Sequence, residues 1–295
     1  MASSRVSRWT VAIPLIWLLL FLAAPFVTVF LISLSEVRLA MPPYAPFIEW
    51  VADGWRWNLD ADNFRFIWQD GLYFEAFAYS LKVAAIATLC CLLIGYPMAY
   101  AIAQAPERWR SWLLLAIILP FWTSFLLRVY AWIGLLKTDG LINQALLALG
   151  VIASPLQLLY TDFAVLIGIV YSYLPFMILP LYANLERHDR LLLEAAADLG
   201  ASAWRRFWRI TLPLSRPGVV AGCLLVFIPA AGEFVIPSLL GRSDQLMIGR
   251  VLADEFFANR DWPVASAVAV ILLIVLLLPM IGFQKSIQRQ SEDGV

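Results

Sequence analysis

Six stretches of the chain are long and apolar enough to cross the hydrocarbon core of a bilayer, and this restricts the possible folds more than any other feature. They run about Trp9–Ser33, Ala76–Gln104, Ser111–Leu136, Phe163–Leu185, Pro217–Ile236 and Pro263–Phe283. A crossing helix needs roughly 20 apolar residues. Lipid offers no hydrogen bonds to stray N–H and C=O groups, so such runs must close their bonds internally, as helices. Composition points the same way. Of 295 residues 62% are hydrophobic and 14% charged, with a mean hydropathy of +0.80, whereas a soluble domain carries about 25% charged residues. The expected fold class is an all-α polytopic membrane protein, six transmembrane helices in one domain spanning residues 1–295. An ordinary soluble enzyme, a disordered chain and a secreted disulfide scaffold are excluded.

Charge sets the orientation. With the N-terminus inside, 12 Lys and Arg residues fall on the inner side and 7 on the outer, leaving Lys82 and Arg128 within spans. Basic residues favour the cytoplasmic side, so both termini are expected there. The first apolar run follows Arg5 and Arg8 but exceeds a signal peptide's apolar core and lacks an obvious small-residue cleavage site, so it reads as a retained anchor. Two outer segments are long. Residues 35–75 hold Pro42, Pro43, Pro46 and the series Trp50, Trp55, Trp57 and Trp68. These side chains seek an interface, either the lipid headgroups or an external partner. Residues 137–162 surround a short apolar helix.

The rare residue types remove several chemistries. His188 is the single histidine, so no histidine cluster can build a metal centre. Cys90, Cys91 and Cys223 lie in apolar runs without C-x-x-C spacing and read as small core residues. None of Lys82, Lys137 and Lys285 follows a G-x-x-x-x-G, so the chain lacks a phosphate-cradling loop and any energy source sits on another polypeptide. Lys+Arg and Asp+Glu balance at 21 each, which gives no reason to expect a nucleic acid partner.

The inner loop between the fourth and fifth spans, residues 186–216, carries the strongest signal. A helix through Leu191–Leu199 is expected to stop at Gly200, a residue able to take the left-handed turn that caps a helix. A second amphipathic helix follows, with Trp204, Phe207 and Trp208 among Arg205, Arg206 and Arg209, ending at Pro213. The result is a helix–Gly–helix elbow. Ala195 and Ala196 leave room for another protein's backbone, and Glu194 supplies a directional charge.

Glu194-Ala195-Ala196, Gly200, Ile210, Leu212 and Pro213 reproduce at every fixed position the E-A-A-x3-G-x9-I-x-L-P pattern of ABC importer permeases, which this chain therefore resembles. Leu119–Phe125 through Arg128–Ile133, Gly232–Pro237 and Asn259–Pro263 resemble the polyamine (putrescine/spermidine) branch, most of all its putrescine permeases. The resemblance implies a type I (MetI-like) permease fold in a bacterial inner membrane. It implies a homologous second permease, two ATPase subunits that hold ATP and Mg, and a periplasmic polyamine-binding protein; this chain holds no cofactor. Residues 35–75 would then be periplasmic and 186–216 the coupling loop. Glu194, Ala195, Ala196 and Gly200 would meet the ATPase, while Ile210, Leu212 and Pro213 set the return into the membrane.

Charged groups within spans cost on the order of 2.5–3.5 kcal/mol at a helix centre. Lys82 lies near the outer end of its span and can reach the headgroups. Arg128 shares a stripe with Phe121, Phe125 and Trp132 and either faces a pathway or pairs with a buried acid. Glu233 sits in Pro229-Ala230-Ala231-Gly232-Glu233-Phe234, where proline and glycine should break the fifth helix. Its carboxylate can hold a polyamine ammonium beside aromatic faces, or pair with Arg128 or a partner subunit. Trp122, Tyr130, Tyr171 and Tyr173 are candidate aromatic liners. Gly218 and Gly222 form a G-x-x-x-G that permits close helix packing. The other readings are a permease for a different small cationic or organic solute, an ion-coupled secondary transporter and an intramembrane enzyme. The last two lack, respectively, a visible internal repeat and a nucleophile–base pair.

Overall fold

The computed structural model describes residues 8–51 and 54–292; Arg5, used in the orientation above, lies outside the described residues. In chain order the elements are α1 (Ala12–Ser33), β1 (Ile48–Val51), β2 (Gly54–Trp57), α2 (Asp62–Gln69), α3 (Gly71–Gln104) and α4 (Glu107–Ile118). Then follow α5 (Phe125–Leu136), α6 (Leu141–Ala148), α7 (Asp162–Leu185), α8 (Arg190–Asp198) and α9 (Ala203–Leu214). The last are α10 (Arg216–Ala231), α11 (Val235–Leu240), α12 (Ile248–Ala253) and α13 (Trp262–Glu292).

Among the described residues, four helical runs are long and apolar enough to cross a membrane: Ala12–Ser33, Gly71–Gln104, Asp162–Leu185 and Trp262–Gly282. Two bent pairs bring the number to six: Glu107–Trp122 with Phe125–Ala148, at 88°, and Ala203–Leu214 with Arg216–Ala231, at 62°. The expected third span, Ser111–Leu136, is therefore a broken one. Pro120 cannot donate a helical hydrogen bond, Leu119–Trp122 tightens into a 3-10 turn, and the chain is extended at Thr123 and Ser124 before α5 begins. The fifth span breaks where proline and glycine foretold. Its helix α10 has 16 residues, about 24 Å at 1.5 Å per residue, which is short of the roughly 30 Å core. Gly232–Phe234 leaves the helix before α11 resumes.

The chain divides into two compact units, one holding everything up to Glu75 with Val251–Val275, the other Ala76–Arg250 with the end of the chain from Leu276. In the first, β1 and β2 form an antiparallel hairpin, a small departure from an all-helical chain. Asn63 donates its side-chain amide to the carbonyls of Ser33 and Ser35, at 3.0 and 2.8 Å, tying α2 to the end of α1. Phe256 and Trp262 stack at 4.8 Å.

In the second unit α7 packs along α10. A Cβ on Gly222 would lie 2.7 Å from Met177 Sδ and 3.1 Å from its carbonyl, and one on Gly218 would lie 2.7 Å from Asn184 Cβ. The G-x-x-x-G is thus a packing seam whose missing side chains let the helices touch. Leu136, Ile169, Ala230, Ile236 and Leu240 are fully buried around one end of this seam, and Met177, Ile178, Leu181 and Val226 around the other. Cys91 is buried in the second cluster, as a small core residue should be.

Candidate functional site

The break in the fifth span creates a donor problem that Glu233 solves. The first N–H groups of any helix lack intrahelical acceptors, and in an apolar setting each unpaired one is costly. Glu233 turns back so that Oε1 accepts the N–H groups of Phe234, Val235 and Ile236 at 3.1, 3.0 and 3.4 Å. Tyr173 of α7 donates its hydroxyl to Oε2. The residue is 7% exposed. A carboxylate has about four acceptor positions, so Oε2, which accepts only from Tyr173, retains an open one.

Glu233 and Tyr173 open onto a cavity of about 410 Å3, also lined by Phe121, Phe125, Arg128, Ser172, Phe176, Pro229, Gly232, Phe234 and Val235. The cavity thus brings one carboxylate and one guanidinium among the rings of Phe121, Phe125, Tyr173, Phe176 and Phe234. Arg128 enters the same cavity without forming an ion pair with Glu233, so of the alternatives left open for these two charges the Arg128–Glu233 pair is not made. Its guanidinium carbon instead sits 4.9 Å from the Phe121 ring centre and 5.7 Å from that of Phe125. Its Nε and one terminal nitrogen are buried without a hydrogen-bond partner. Glu233 is already engaged by four donors, and the rings of Phe125, one turn before it, and of Phe121, across the break, offer the guanidinium a cation–π contact. The stripe of Phe121, Phe125 and Arg128 holds together across the break, while Trp132 leaves it to meet Tyr171 edge-on at 5.6 Å.

Of the expected aromatic liners, Tyr173 alone borders this cavity. Tyr171, two residues away on α7, lines a separate apolar groove with Pro120 and Ile178. Trp122 and Tyr130 are 75% and 56% exposed. Phe125 belongs to the stripe noted with Arg128, whereas Phe176 and Phe234 read along the chain as ordinary apolar positions. Gly249 was also missed. A Cβ there would fall 2.3 Å from the Gly232 carbonyl oxygen and 2.7 Å from that of Glu233. The start of α12 therefore lies directly against the broken backbone, held there by Ile248 N–H donating to Ser80 Oγ of α3 at 2.7 Å.

The elbow follows from local hydrogen bonding. Asp189 accepts the Leu191 N–H at 2.9 Å and caps the start of α8. At the other end the Ala201 N–H bonds the Ala196 carbonyl at 2.9 Å and the Gly200 N–H bonds the Ala197 carbonyl at 2.8 Å. This nested pair is a Schellman motif, which requires a left-handed residue at Gly200, and its φ is +80°. Ser202 then caps α9, its Oγ accepting the Arg205 N–H at 3.3 Å. The helix runs one residue past the expected stop at Pro213, to Leu214, through a widened turn at Phe207–Thr211 in which Leu212 N–H reaches back to Phe207.

Glu194, Ala195, Gly200, Leu191 and Leu199 are exposed on the outer surface of the elbow, with Ala196, Ile210, Leu212 and Pro213 half-buried. Its root is well fastened. Phe207 meets Tyr96 and Tyr100 edge-on at 5.8 and 6.0 Å. Tyr96 and Ser215 share a buried hydrogen bond of 2.9 Å, and Arg110 pairs with Glu186 at 2.7 Å. Arg206 donates to the Leu193 carbonyl at 3.2 Å, bracing α9 against α8. The root of the elbow thus packs against α3 and the start of α10.

Residues 1–292 match the family described as "Binding-protein-dependent transport system inner membrane component". The spermidine/putrescine transport system permease protein PotB of Salmonella typhimurium (strain SL1344) is 48% identical over 217 residues, 74% of this chain and 76% of that protein. Among solved structures, the fold is similar to a chain of a bacterial alginate ABC transporter in complex with its alginate-bound periplasmic protein. That similarity has a TM-score of 0.71 at 16% identity and covers 95% of this chain and 93% of that one. It is also similar to a chain of the MetNI methionine ABC transporter, with a TM-score of 0.57 at 14% identity over 76% of this chain and 97% of that one. The MetI-like fold of helical spans, the bent pairs and the match along nearly the whole length lead to one conclusion. The chain belongs to the binding-protein-dependent transport system inner membrane components, the multi-pass permease subunits of ABC transporters.

Proposed function

We propose that this chain is the permease subunit of an ATP-driven importer that moves polyamines, putrescine and/or spermidine, into the cytoplasm by alternating access. Its partners in this reading are a homologous second permease, two ATPase subunits that hold ATP and Mg, and a periplasmic polyamine-binding protein. Both termini and residues 186–216 are cytoplasmic. Glu194, Ala195, Ala196 and Gly200 contact the ATPase, and Ile210, Leu212 and Pro213 set the angle at which the chain re-enters the membrane. Nucleotide-driven closure on the partners supplies the difference in free energy between the two access states, and the elbow passes it to the spans. Support for the cargo comes from the relatives named spermidine/putrescine permeases.

One observation carries the substrate assignment: a buried carboxylate, Glu233, held at a helix break beside a cavity rich in aromatic rings. The Oε2 atom receives one ammonium, Tyr173 orients the carboxylate, and Phe176 and Phe234 offer π faces. Trp122, Tyr130 and Tyr171, expected as liners, serve the pathway only where it extends beyond this cavity. The test is uptake by the complete complex in proteoliposomes with labelled putrescine and competing spermidine. Glu233→Gln preserves a capping oxygen and removes the charge, so it should weaken uptake about 10- to 100-fold, the worth of a charge-assisted hydrogen bond, while subunit assembly persists. Wild-type uptake by that variant would remove Glu233 from the pathway.

A further inference from the structure

The outer hairpin has a sidedness that the transport reading does not use. In its register Ile48 pairs with Trp57 and Trp50 with Trp55, while Glu49 pairs with Arg56. Cross-strand partners share a face and alternate residues change face. One face is therefore Ile48, Trp50, Trp55 and Trp57, and the other carries Glu49 and Arg56. The charged face is engaged by the chain itself: Glu49 accepts from Arg38 and from Asn58, both at 3.1 Å. The aromatic face is bare. Trp50, Trp55 and Trp57 are 65%, 70% and 66% exposed, although Trp50 and Trp55 meet edge-on at 5.1 Å.

We propose that this face is a membrane-interface anchor lying in the headgroup layer at the end of the first span. Its location follows from how the hairpin is tethered. The chain leaves α1 at Ser33 and returns to the same point: Asp60 N–H bonds the Leu34 carbonyl at 2.8 Å, and the Asn63 amide bonds the carbonyls of Ser33 and Ser35. Strands of four residues extend only about 13 Å, so the hairpin stays close to the level at which α1 leaves the hydrocarbon. A headgroup layer is about 5–8 Å deep on each side, so in this anchor the hairpin, about 13 Å long, lies along the membrane plane with its aromatic face toward the lipid. Indole rings are favoured there because their apolar bodies meet lipid while the N–H meets water or headgroup oxygens. A surface that meets and releases a soluble protein in each cycle is on average about as polar as the rest of a protein's exterior. Four neighbouring residues with no charge, backed by a face on which Glu49 is held by Arg38 and Asn58, fit a permanent lipid boundary better.

The experiment uses the assembled complex in lipid nanodiscs, with Cys90, Cys91 and Cys223 replaced by Ala. A fluorophore is attached at Trp55→Cys or, on the opposite face, at Arg56→Cys. The lipid probe is phosphatidylcholine brominated near the glycerol end of its acyl chains, and the aqueous probe is iodide. Trp55→Cys should be quenched at least twofold more by the brominated lipid than Arg56→Cys and at least twofold less by iodide, whether or not binding protein is added. Equal access of iodide to both positions overturns the proposal. So does shielding of position 55 that arises only with binding protein, which marks a protein-docking face. Should the cysteine-free chain fail to assemble, the otherwise unchanged chain with Trp50, Trp55 and Trp57 all replaced by Ser gives the same decision. It should lose part of the tryptophan emission that brominated lipid quenches, and an unchanged quenchable fraction overturns the anchor.

Discussion

Replacing Gly200 isolates the mechanical role of the elbow, because the residue is constrained by conformation and not by space. Its φ of +80° lies in the left-handed region, and a Cβ built there meets no other atom within 4 Å. Alanine therefore clashes with nothing and bears only the backbone cost, about 1–2 kcal/mol for an L-residue in that region. If the chain instead relaxes, it gives up the bonds from Gly200 to Ala197 and from Ala201 to Ala196, at 2.8 and 2.9 Å, each worth about 1 kcal/mol. Either route lowers the population of the native elbow by a factor of about 5–30. Asn tolerates the left-handed region better than Ala, and a β-branched residue tolerates it worse. Uptake by the reconstituted complex, and ATPase activity stimulated by binding protein, should therefore fall in the order Gly, Asn, Ala, Val. The spans should keep their thermal stability, since Gly200 is exposed and belongs to neither buried cluster. Full transport by Gly200→Val would refute the coupling role, and so would loss of the folded spans in step with loss of transport.

Three further outcomes are expected. Gly249→Ala places a methyl group 2.3 Å from the Gly232 carbonyl oxygen; no rotamer relieves a backbone contact, so it should cost at least the 1–3 kcal/mol typical of overpacking and reduce uptake, read as a lower melting temperature and initial rate. Burial raises the carboxyl pKa of Asp261, which caps α13 by accepting the Val264 N–H at 3.0 Å. The folded state thus holds this proton more tightly than the unfolded one, so the stability of its unit should decline as pH rises from the ordinary carboxylate value through the raised one. Asp261→Asn should flatten that decline in pH-dependent thermal unfolding, and an unaltered pH profile would contradict it. Reporter fusions at Arg205 or Arg206 should score cytoplasmic, and a periplasmic score would reverse the proposed orientation.

Much of the elbow was readable because its determinants lie within a few residues of one another. Gly200, the cap read from the sequence, acts on C=O groups no more than four positions away; Asp189 and Ser202, which that reading passed over, act over equally short spans. The aromatic cavity was only half readable. Pro229 and Gly232 marked the break, and Glu233 stood out as a charge in an apolar run, but its partner Tyr173 is 60 residues distant. Tyr171 and Tyr173 looked equivalent along the chain; two residues on a helix differ by about 200° of rotation, and only one turns toward Glu233. Whether Arg128 meets Glu233 was undecided along the chain for a related reason. Sequence shows that a buried guanidinium needs company, but not whether the nearest group is a carboxylate or the faces of Phe121 and Phe125.

Hydrophobic length and hydrogen-bond economy made this chain a set of helical spans with an elbow between the fourth and fifth. Both constraints act locally, through the bilayer's thickness and the backbone's need for internal partners, and are written in consecutive residues. The 88° bend after Pro120, the seat of Gly249 beneath Gly232, and the meeting of Tyr173, Glu233 and Arg128 at one cavity belong to packing. They arise where segments far apart in the chain come within a few ångströms, and only the assembled set of neighbours determines which side chain fills each space.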